Sequence, residues 1–177
     1  AGKDKEMSEV VHTSILFALI SGIVMAVIGV LLAKPALQLM QTPADVIDQS
    51  ALYMRIYFLG MPFFMLYNYG AAVLRAVGDT KRPLMYLILS GIVNTLLNLF
   101  LVIVFRLAVA GVAISTIIAQ CMSCILILNC LRKSESSYKL TFSGLNIKWV
   151  YLRQIFQVGI PAGIQSTVIN FSNALLQ

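Results

Sequence analysis

Long apolar blocks alternate with short polar stretches along this chain. Each block is about 20 residues long, and a helix of that length, rising about 1.5 Å per residue, matches a hydrocarbon core of about 30 Å. The blocks are apolar nearly all round, whereas a helix at the surface of a soluble protein carries a polar stripe. The pattern therefore predicts an all-α, polytopic membrane protein. Five blocks without Asp or Glu are the predicted transmembrane helices, at about 13–33, 51–74, 84–105, 107–131 and 155–177.

Composition and charge support a membrane protein and predict its orientation. Hydrophobic residues make up 59% of the chain and charged residues 11%, which leaves too little polar surface for a soluble domain. Lys and Arg concentrate in residues 1–12, 75–83 and 132–154. Since cationic loops stay on the cytoplasmic side, these three stretches are predicted to be cytoplasmic, in the cell membrane. The net charge of +6 is then explained by topology and anionic lipid headgroups, and no nucleic-acid partner is expected.

Two boundaries invite a finer prediction. Lys34 and Pro35 are expected to close the first span, and Thr42 to cap a helix that opens at Pro43. The run 145–153, which contains an interfacial-type Trp and Tyr, is predicted to be a helix lying in the headgroup zone. An ordinary loop is the alternative for this run.

The sequence lacks the usual patterns of catalytic and metal-binding sites. His12 is the only histidine and receives no assigned role, because a lone histidine at a span entrance is typically an interfacial residue. Cys121 and Cys124 lie inside a predicted span without the partner ligands that a zinc site requires. We therefore expect neither an enzyme nor a bound cofactor.

Uncharged polar residues at membrane depth are the remaining candidates for function. Asn94 and Asn98 lie one turn apart in the third predicted span, and Thr116 and Gln120 repeat that spacing in the fourth. Burying such groups in lipid costs about 1–3 kcal/mol each, so they are expected to face other helices or a wet cavity. Hydrogen bonding between helices and a substrate or ion pathway both remain open at this point.

Three sequence blocks carry a further signal when they are read in order: LRAVGDTKRP at 74–83, IVNTLLN at 92–98 and AGVAISTIIAQ at 110–120. Together they resemble the MATE (multidrug and toxic compound extrusion) family of transporters. The resemblance implies twelve helices in two six-helix lobes, with a substrate cleft between the lobes that opens alternately to either side.

Placed on that architecture, this chain corresponds to helices three to seven. Residues 1–131 are then part of the N-terminal lobe, 132–154 the cytoplasmic connector between the lobes, and 155–177 the first helix of the C-terminal lobe. The chain is accordingly expected to be a fragment that lacks two helices at its front and five at its back.

The resemblance also implies a function, which is secondary active multidrug efflux. Members of the family export amphiphilic or cationic small molecules in exchange for Na⁺ or H⁺, and a monomer is expected. A flippase for lipid-linked oligosaccharides or lipids, from the related superfamily, is the alternative. Such a flippase is expected to line its cleft with several cations, and this stretch shows only Arg55 near a span boundary. A membrane-embedded enzyme is a third, weaker hypothesis.

A cation site is implied by the same resemblance. In many members of the family it uses an Asp of the first helix, and the other positions of that site fall here on Asn94, Asn98 and Thr116, where Na⁺ is expected. Asn98 departs from the family because many relatives carry Asp there. One fixed charge is therefore missing, and coupling is expected to depend almost wholly on the first-helix Asp. The weaker candidates for cation or substrate binding are Asn68, Tyr53 and Gln120.

Overall fold

Six α-helices build the chain in the computed structural model, which describes residues 2–134, 138–141 and 146–175. Within those residues there is no β-strand, and the prediction of an all-α protein is confirmed. The helices are α1 (Gly2–Leu39), α2 (Ile47–Leu59), α3 (Met61–Ala76), α4 (Lys81–Ile103), α5 (Ala108–Lys133) and α6 (Trp149–Leu175).

Most of the predicted spans correspond to these helices. By length and composition α1, α4 and α5 can each cross a membrane. The helices α2 and α3 make a fourth candidate span, broken at Gly60 by a bend of 44°. Among the described residues α6 is not such a candidate, because amide side chains such as Gln157, Gln165 and Asn170 interrupt its apolar sequence. Its role as the fifth span stays a prediction, and residues 176–177 of that span lie outside the described residues.

The predicted boundary near Pro35 is wrong. Pro35 lies inside α1, which continues to Leu39. The helix ends where Gln41 adopts a left-handed conformation with φ of 55° and the Thr42 N–H donates to the Leu37 carbonyl at 3.1 Å. A proline this close to a helix end removes one hydrogen bond, and a span can tolerate that loss where neighbouring groups compensate.

The start of the second span also differs from its prediction. A turn closed by the Val46 N–H and the Pro43 carbonyl, at 3.2 Å, precedes α2. The helix itself begins at Ile47, and its N-cap residue is Val46, without a side-chain cap. The Thr42 N–H therefore hydrogen-bonds to the end of α1, and the Thr42 side chain does not cap α2.

The predicted interfacial helix at 145–153 is not a separate helix. Residue 145 lies outside the described residues, and 146–148 are not helical. Trp149, Tyr151 and Arg153 form the first turns of α6. Periodicity could not separate these turns from the following span, because no helix-breaking residue lies between them.

A stripe of small residues lets α1 pack closely against α2 and α3. A Cβ atom added at Gly22 would lie 2.6 Å from the Cα of Pro62, and Gly29 faces the ring of Phe58. Small residues at such positions allow backbones to approach, which is the usual basis of helix packing in membranes. The stripe consists of the buried residues Ala18, Gly22, Ala26, Gly29 and Ala33.

The bundle has a simple neighbour order. The broken pair α2 and α3 lies between α1 and α5, α4 packs on α5, and α6 meets the rest of the described chain mainly through α1. The buried core lies toward the end of the bundle that carries the connector. There Leu140 is 1% exposed, and its N–H donates to the Leu131 carbonyl at 3.2 Å. Large apolar side chains cover much of the outer surface, as expected where lipid is the solvent.

Candidate functional site

A cavity of about 490 Å³ opens between α3, α4 and α5. Its wall combines apolar side chains with polar groups that are neutral except for Arg75, and none of the described residues that line it is acidic. We call this space the amide cavity. Its polar lining consists of Tyr67, Asn68, Arg75, Ser90, Asn94, Thr116, Gln120 and Ser123, and its apolar lining includes Phe64, Leu87 and Ala119.

Asn94 and Thr116 meet across the interface of α4 and α5. The Asn94 Nδ2 donates to the Thr116 Oγ1 at 3.4 Å, while the Thr116 hydroxyl donates to the Val112 carbonyl at 2.9 Å. Of the two pairs with four-residue spacing, Thr116 and Gln120 both line the amide cavity, whereas only Asn94 of the pair Asn94 and Asn98 does so. Asn94 and Thr116 form an interhelical hydrogen bond and line the amide cavity at the same time. The two interpretations left open by the sequence are thus compatible.

Asn68 and Gln120 bring two further amides to the same cavity. The Asn68 Nδ2 donates to the Phe64 carbonyl one turn earlier, at 2.8 Å. The Gln120 Oε1 is buried and has no hydrogen-bond partner among the described residues. It abuts the break between α2 and α3, since a Cβ atom at Gly60 would lie 2.6 Å from it. An unsatisfied buried acceptor costs about 1–3 kcal/mol, so it is uncommon without a functional or conformational reason.

Asn98 and Tyr53 are not among the lining residues of the amide cavity. Asn98 is half-buried one turn beyond Asn94. Tyr53 lies on α2, where its ring stacks on Tyr57 with centroids 6.2 Å apart, and it lines a different cavity of about 320 Å³. The structure thus brings together four of the six candidate residues, and Na⁺ binding at Asn94, Asn98 and Thr116 stays a prediction. The described residues contain no cluster of three or more His, Cys, Asp or Glu side chains that could hold a metal ion.

Four polar residues of the lining were not among the predicted site residues. Ser90 lies one turn before Asn94, and Ser123 lies three residues after Gln120, so helical spacing would have identified both. Tyr67 and Arg75 occupy α3, where Arg75 lies two turns after the predicted Asn68, so the same spacing would have placed it on that face. The Tyr67 hydroxyl donates to the Pro83 carbonyl at 2.8 Å and so joins α3 to the start of α4.

A second polar cluster joins the start of α1 to the connector. His12 is 4% exposed; its Nδ1 lies 2.6 Å from the Ser8 carbonyl oxygen, and its Nε2 lies 3.0 Å from the backbone N, the carbonyl oxygen and the Oγ1 of Thr141. His12, left without a role in the sequence, is therefore a structural residue. We call the cluster the α1–connector joint, and it consists of Ser8, Glu9, His12, Thr13, Thr141, Asn146, Lys148 and Tyr151.

The rest of the joint is also paired. The Thr13 hydroxyl donates to the Asn146 carbonyl at 3.3 Å and accepts from the Lys148 N–H at 3.2 Å. The Lys148 Nζ lies 3.9 Å from a Glu9 carboxylate oxygen. Desolvation, together with the carboxylates of Glu6 and Glu9, raises the pKa of the Tyr151 hydroxyl above its ordinary value. Tyr151 therefore stays protonated at neutral pH.

The amino-acid sequence of this chain is similar to those of known multidrug resistance and export proteins. Residues 1–100 match the sequence profile of the MatE family. A probable multidrug resistance protein of Bacillus subtilis, YpnP, is 34% identical over 171 residues, which cover 95% of this chain and 38% of that protein. The multidrug export protein MepA of Staphylococcus aureus is 24% identical over 178 residues, which cover 98% of this chain and 39% of that protein. The chain thus spans well under half the length of these curated relatives.

Solved structures agree on the fold. A crystal structure of MATE in the bent conformation matches with a TM-score of 0.87 at 21% identity, over 96% of this chain and 38% of that one. An inward-facing multidrug resistance MATE family transporter of the MOP superfamily matches with a TM-score of 0.82 at 20% identity, over 89% of this chain and 36% of that one. The outward-facing conformation of such a transporter matches with a TM-score of 0.85 at 20% identity, over 96% of this chain and 38% of that one.

Proposed function

Since this chain belongs to the MatE family, we propose that the intact protein is a secondary active exporter of amphiphilic or cationic small molecules. Exchange for Na⁺ or H⁺ drives this export, and transport rather than catalysis is its activity. The protein acts as a monomer in the cell membrane, with 1–12, 75–83 and 132–154 on the cytoplasmic side. The multidrug resistance and export functions named for its relatives support this proposal.

The amide cavity is the observation that carries the proposal. Asn94, Thr116, Asn68 and Gln120 come from three helices to one space within an apolar bundle. Oxygens of amides and hydroxyls are suitable ligands for a hard cation such as Na⁺. Without a carboxylate they hold a cation only weakly, because its desolvation is poorly repaid. The expected first-helix Asp of the intact protein supplies the missing charge, so cation binding and coupling depend on that Asp.

Similarity to transporters solved in two different conformations supports an alternating-access mechanism for the intact protein. The inward-facing and outward-facing structures resemble this chain about equally well. Such agreement supports a bundle that keeps its internal packing while the whole transporter changes state. The connector and α6 then lie where the N-terminal lobe meets the second lobe, and the cavity opens to one side of the membrane at a time.

Efflux measurements on the full-length protein test this function. Energised vesicles containing that protein are loaded with ethidium or a fluoroquinolone, and a Na⁺ gradient and then a pH gradient are imposed. Drug movement that follows one gradient establishes antiport and identifies the coupling ion. Folded protein that moves neither drug under either gradient contradicts the proposal.

A further inference from the structure

Arg75 is the one charged residue among those that line the amide cavity. It lies in the last turn of α3, and its side chain is exposed at one end of the cavity. The lining groups deeper in the cavity are neutral, from Asn68 and Ser90 to Gln120. The described wall is therefore positive at one end and uncharged elsewhere.

The nearest acid in the sequence does not neutralise Arg75. Asp79 is engaged with Arg82, whose Nε lies 3.3 Å from the Asp79 Oδ2 and whose backbone N–H donates to the Asp79 Oδ1 at 3.1 Å. In the described part of the chain, no acidic side chain lies within 4.0 Å of the Arg75 guanidinium. Among the described residues, the Arg75 guanidinium is therefore not held in an ion pair.

The positive-inside rule would explain why Arg75 is a cation, but it would not explain why Arg75 lines the cavity. Lys81 and Arg82, in the same loop segment, are also exposed cations, yet neither lines the amide cavity. Arg75 differs from both because it contributes to the cavity wall. Its neighbour there, Tyr67, already uses its hydroxyl proton on the Pro83 carbonyl.

We propose that Arg75 is the anion-binding residue of the amide cavity, and that the cavity takes an amphiphile carrying a carboxylate or a phosphate. A guanidinium binds either group through two parallel hydrogen bonds, which a lysine cannot reproduce. Phe64, Leu87 and the Tyr67 ring contact the apolar part of the ligand. The inference rests on the proposed export function and narrows its substrates.

The cavity suits a ligand of this kind in size and polarity. A volume of about 490 Å³ lies within the range of about 300–1,000 Å³ typical of small-molecule sites. The amides of Asn68, Asn94 and Gln120 can bind further polar atoms of the ligand. A zwitterionic drug fits best, because its carboxylate faces Arg75 while its amine faces the neutral oxygens.

A matched pair of ligands tests the inference in the intact protein. A fluoroquinolone and its methyl ester differ in the carboxylate alone, and Arg75→Gln removes only the charge of the side chain. We expect Arg75→Gln to lower efflux of the acid about ten-fold or more, since hydrogen bonds to charged groups are the strong ones. Efflux of the ester is expected to stay within about two-fold of wild type, and Arg75→Lys to lie between.

Lys81→Gln is the control for general loss of loop charge, and it should leave the ratio of acid to ester efflux unchanged. Fluorescence titration of each purified variant with the acid measures binding directly and reports on folding through its titratable fraction. If Arg75→Gln lowers efflux of acid and ester equally, or changes neither, the inference is wrong. If wild-type protein moves neither compound, the export function itself is wrong.

Vesicle composition identifies the source of the anion. If the defect of Arg75→Gln is the same with and without anionic phospholipid, the ligand is the drug carboxylate. If wild-type and Arg75→Gln differ only when phosphatidylglycerol is present, the phosphate of a lipid headgroup occupies the site. Either result keeps Arg75 as the anion-binding residue.

Discussion

The amide cavity and the α1–connector joint are both polar, yet they differ in how fully their polar groups are paired. In the joint, both ring nitrogens of His12 have partners, and the Thr13 hydroxyl both donates and accepts. In the cavity, several polar groups are paired as well, but among the described residues the Gln120 Oε1 has no hydrogen-bond partner and Arg75 has no acidic neighbour. The cavity therefore leaves one buried acceptor and one guanidinium for another molecule, whereas the main contacts of the joint are made within the chain.

This difference separates structure from function among polar residues. A buried polar group that is fully paired adds to stability and specifies one arrangement of the chain. A polar group left unpaired lowers stability, and it persists where another molecule supplies the missing partner. Mutations in the two regions should accordingly change different properties of the intact protein. Cavity variants are expected to lose transport, and joint variants are expected to lose stability.

Asn94→Ala is expected to give the largest effect on transport. It removes the amide that reaches Thr116 across the α4–α5 interface, and we expect efflux to fall about ten-fold or more, because a polar group at this depth is typically functional. The bond is long, at 3.4 Å, so the free energy of unfolding should change by about 1 kcal/mol or less. Vesicle efflux and denaturant titration in mixed micelles measure the two quantities. Normal efflux with a strongly destabilised protein would reverse the contrast between the regions.

His12→Ala is expected to show the opposite pattern. It leaves the Thr141 N–H and the Ser8 carbonyl without their partner, so the free energy of unfolding should fall by about 2–3 kcal/mol. Efflux per folded molecule is expected to stay within about two-fold, because no ligand contact is lost. Protease cleavage near the connector should also become faster.

His12→Gln is the matched variant for this prediction. Its amide can both donate and accept, so it should recover part of the lost stability. Equal stability of wild type, His12→Ala and His12→Gln would show that the joint does not hold the connector. A loss of efflux without a loss of stability would instead place His12 in the transport pathway.

Two glycine positions extend the comparison from hydrogen bonding to packing, because they differ in the room available for a Cβ atom. Gly22 faces the backbone of Pro62, whereas a Cβ atom at Gly91, which lines the amide cavity, would meet no atom within 4 Å. Gly22→Ala should lower the free energy of unfolding by about 1–2 kcal/mol, because a rigid backbone must shift. Gly91→Ala should raise it by about 0.5–1 kcal/mol, through helix propensity alone. Similar thermal stability of the two variants would contradict the close packing of α1.

The fold could be predicted from the sequence because its main signal is hydrophobic length. Apolar blocks that match the bilayer identified α1, α4, α5 and the combined α2 and α3. The break at Gly60 was missed because hydrophobic length alone does not show it, although Pro62 in the first turn of α3 is a signal for a helix break. Helix ends were also misplaced, as at Pro35, because the local cap of Gln41 and Thr42 decides where α1 stops.

The candidate site could be predicted only in part, for a related reason. Helical spacing places Asn94 and Thr116 correctly, because they face each other across two adjacent helices. Helical spacing does not show how far a cavity extends along a helix. Asn98 was therefore predicted to share the site of Asn94, although it does not line the cavity. His12 was set aside because its partner, Thr141, lies 129 residues away in the sequence. That contact forms only in the folded chain, so the sequence alone could not indicate it.

Asn98→Ala is expected to give the smallest effect and bears on the limits of the amide cavity. Asn98 is half-buried one turn beyond Asn94, outside the cavity lining. If its oxygen still helps to coordinate the coupling cation, the half-saturating concentration of that cation for efflux should rise about two-fold, and far less than for Asn94→Ala. Asn98→Asp should lower that concentration, since it adds a carboxylate one turn from Asn94. An unchanged cation dependence in both variants would remove Asn98 from the cation site and leave coupling to Asn94, Thr116 and the expected first-helix Asp.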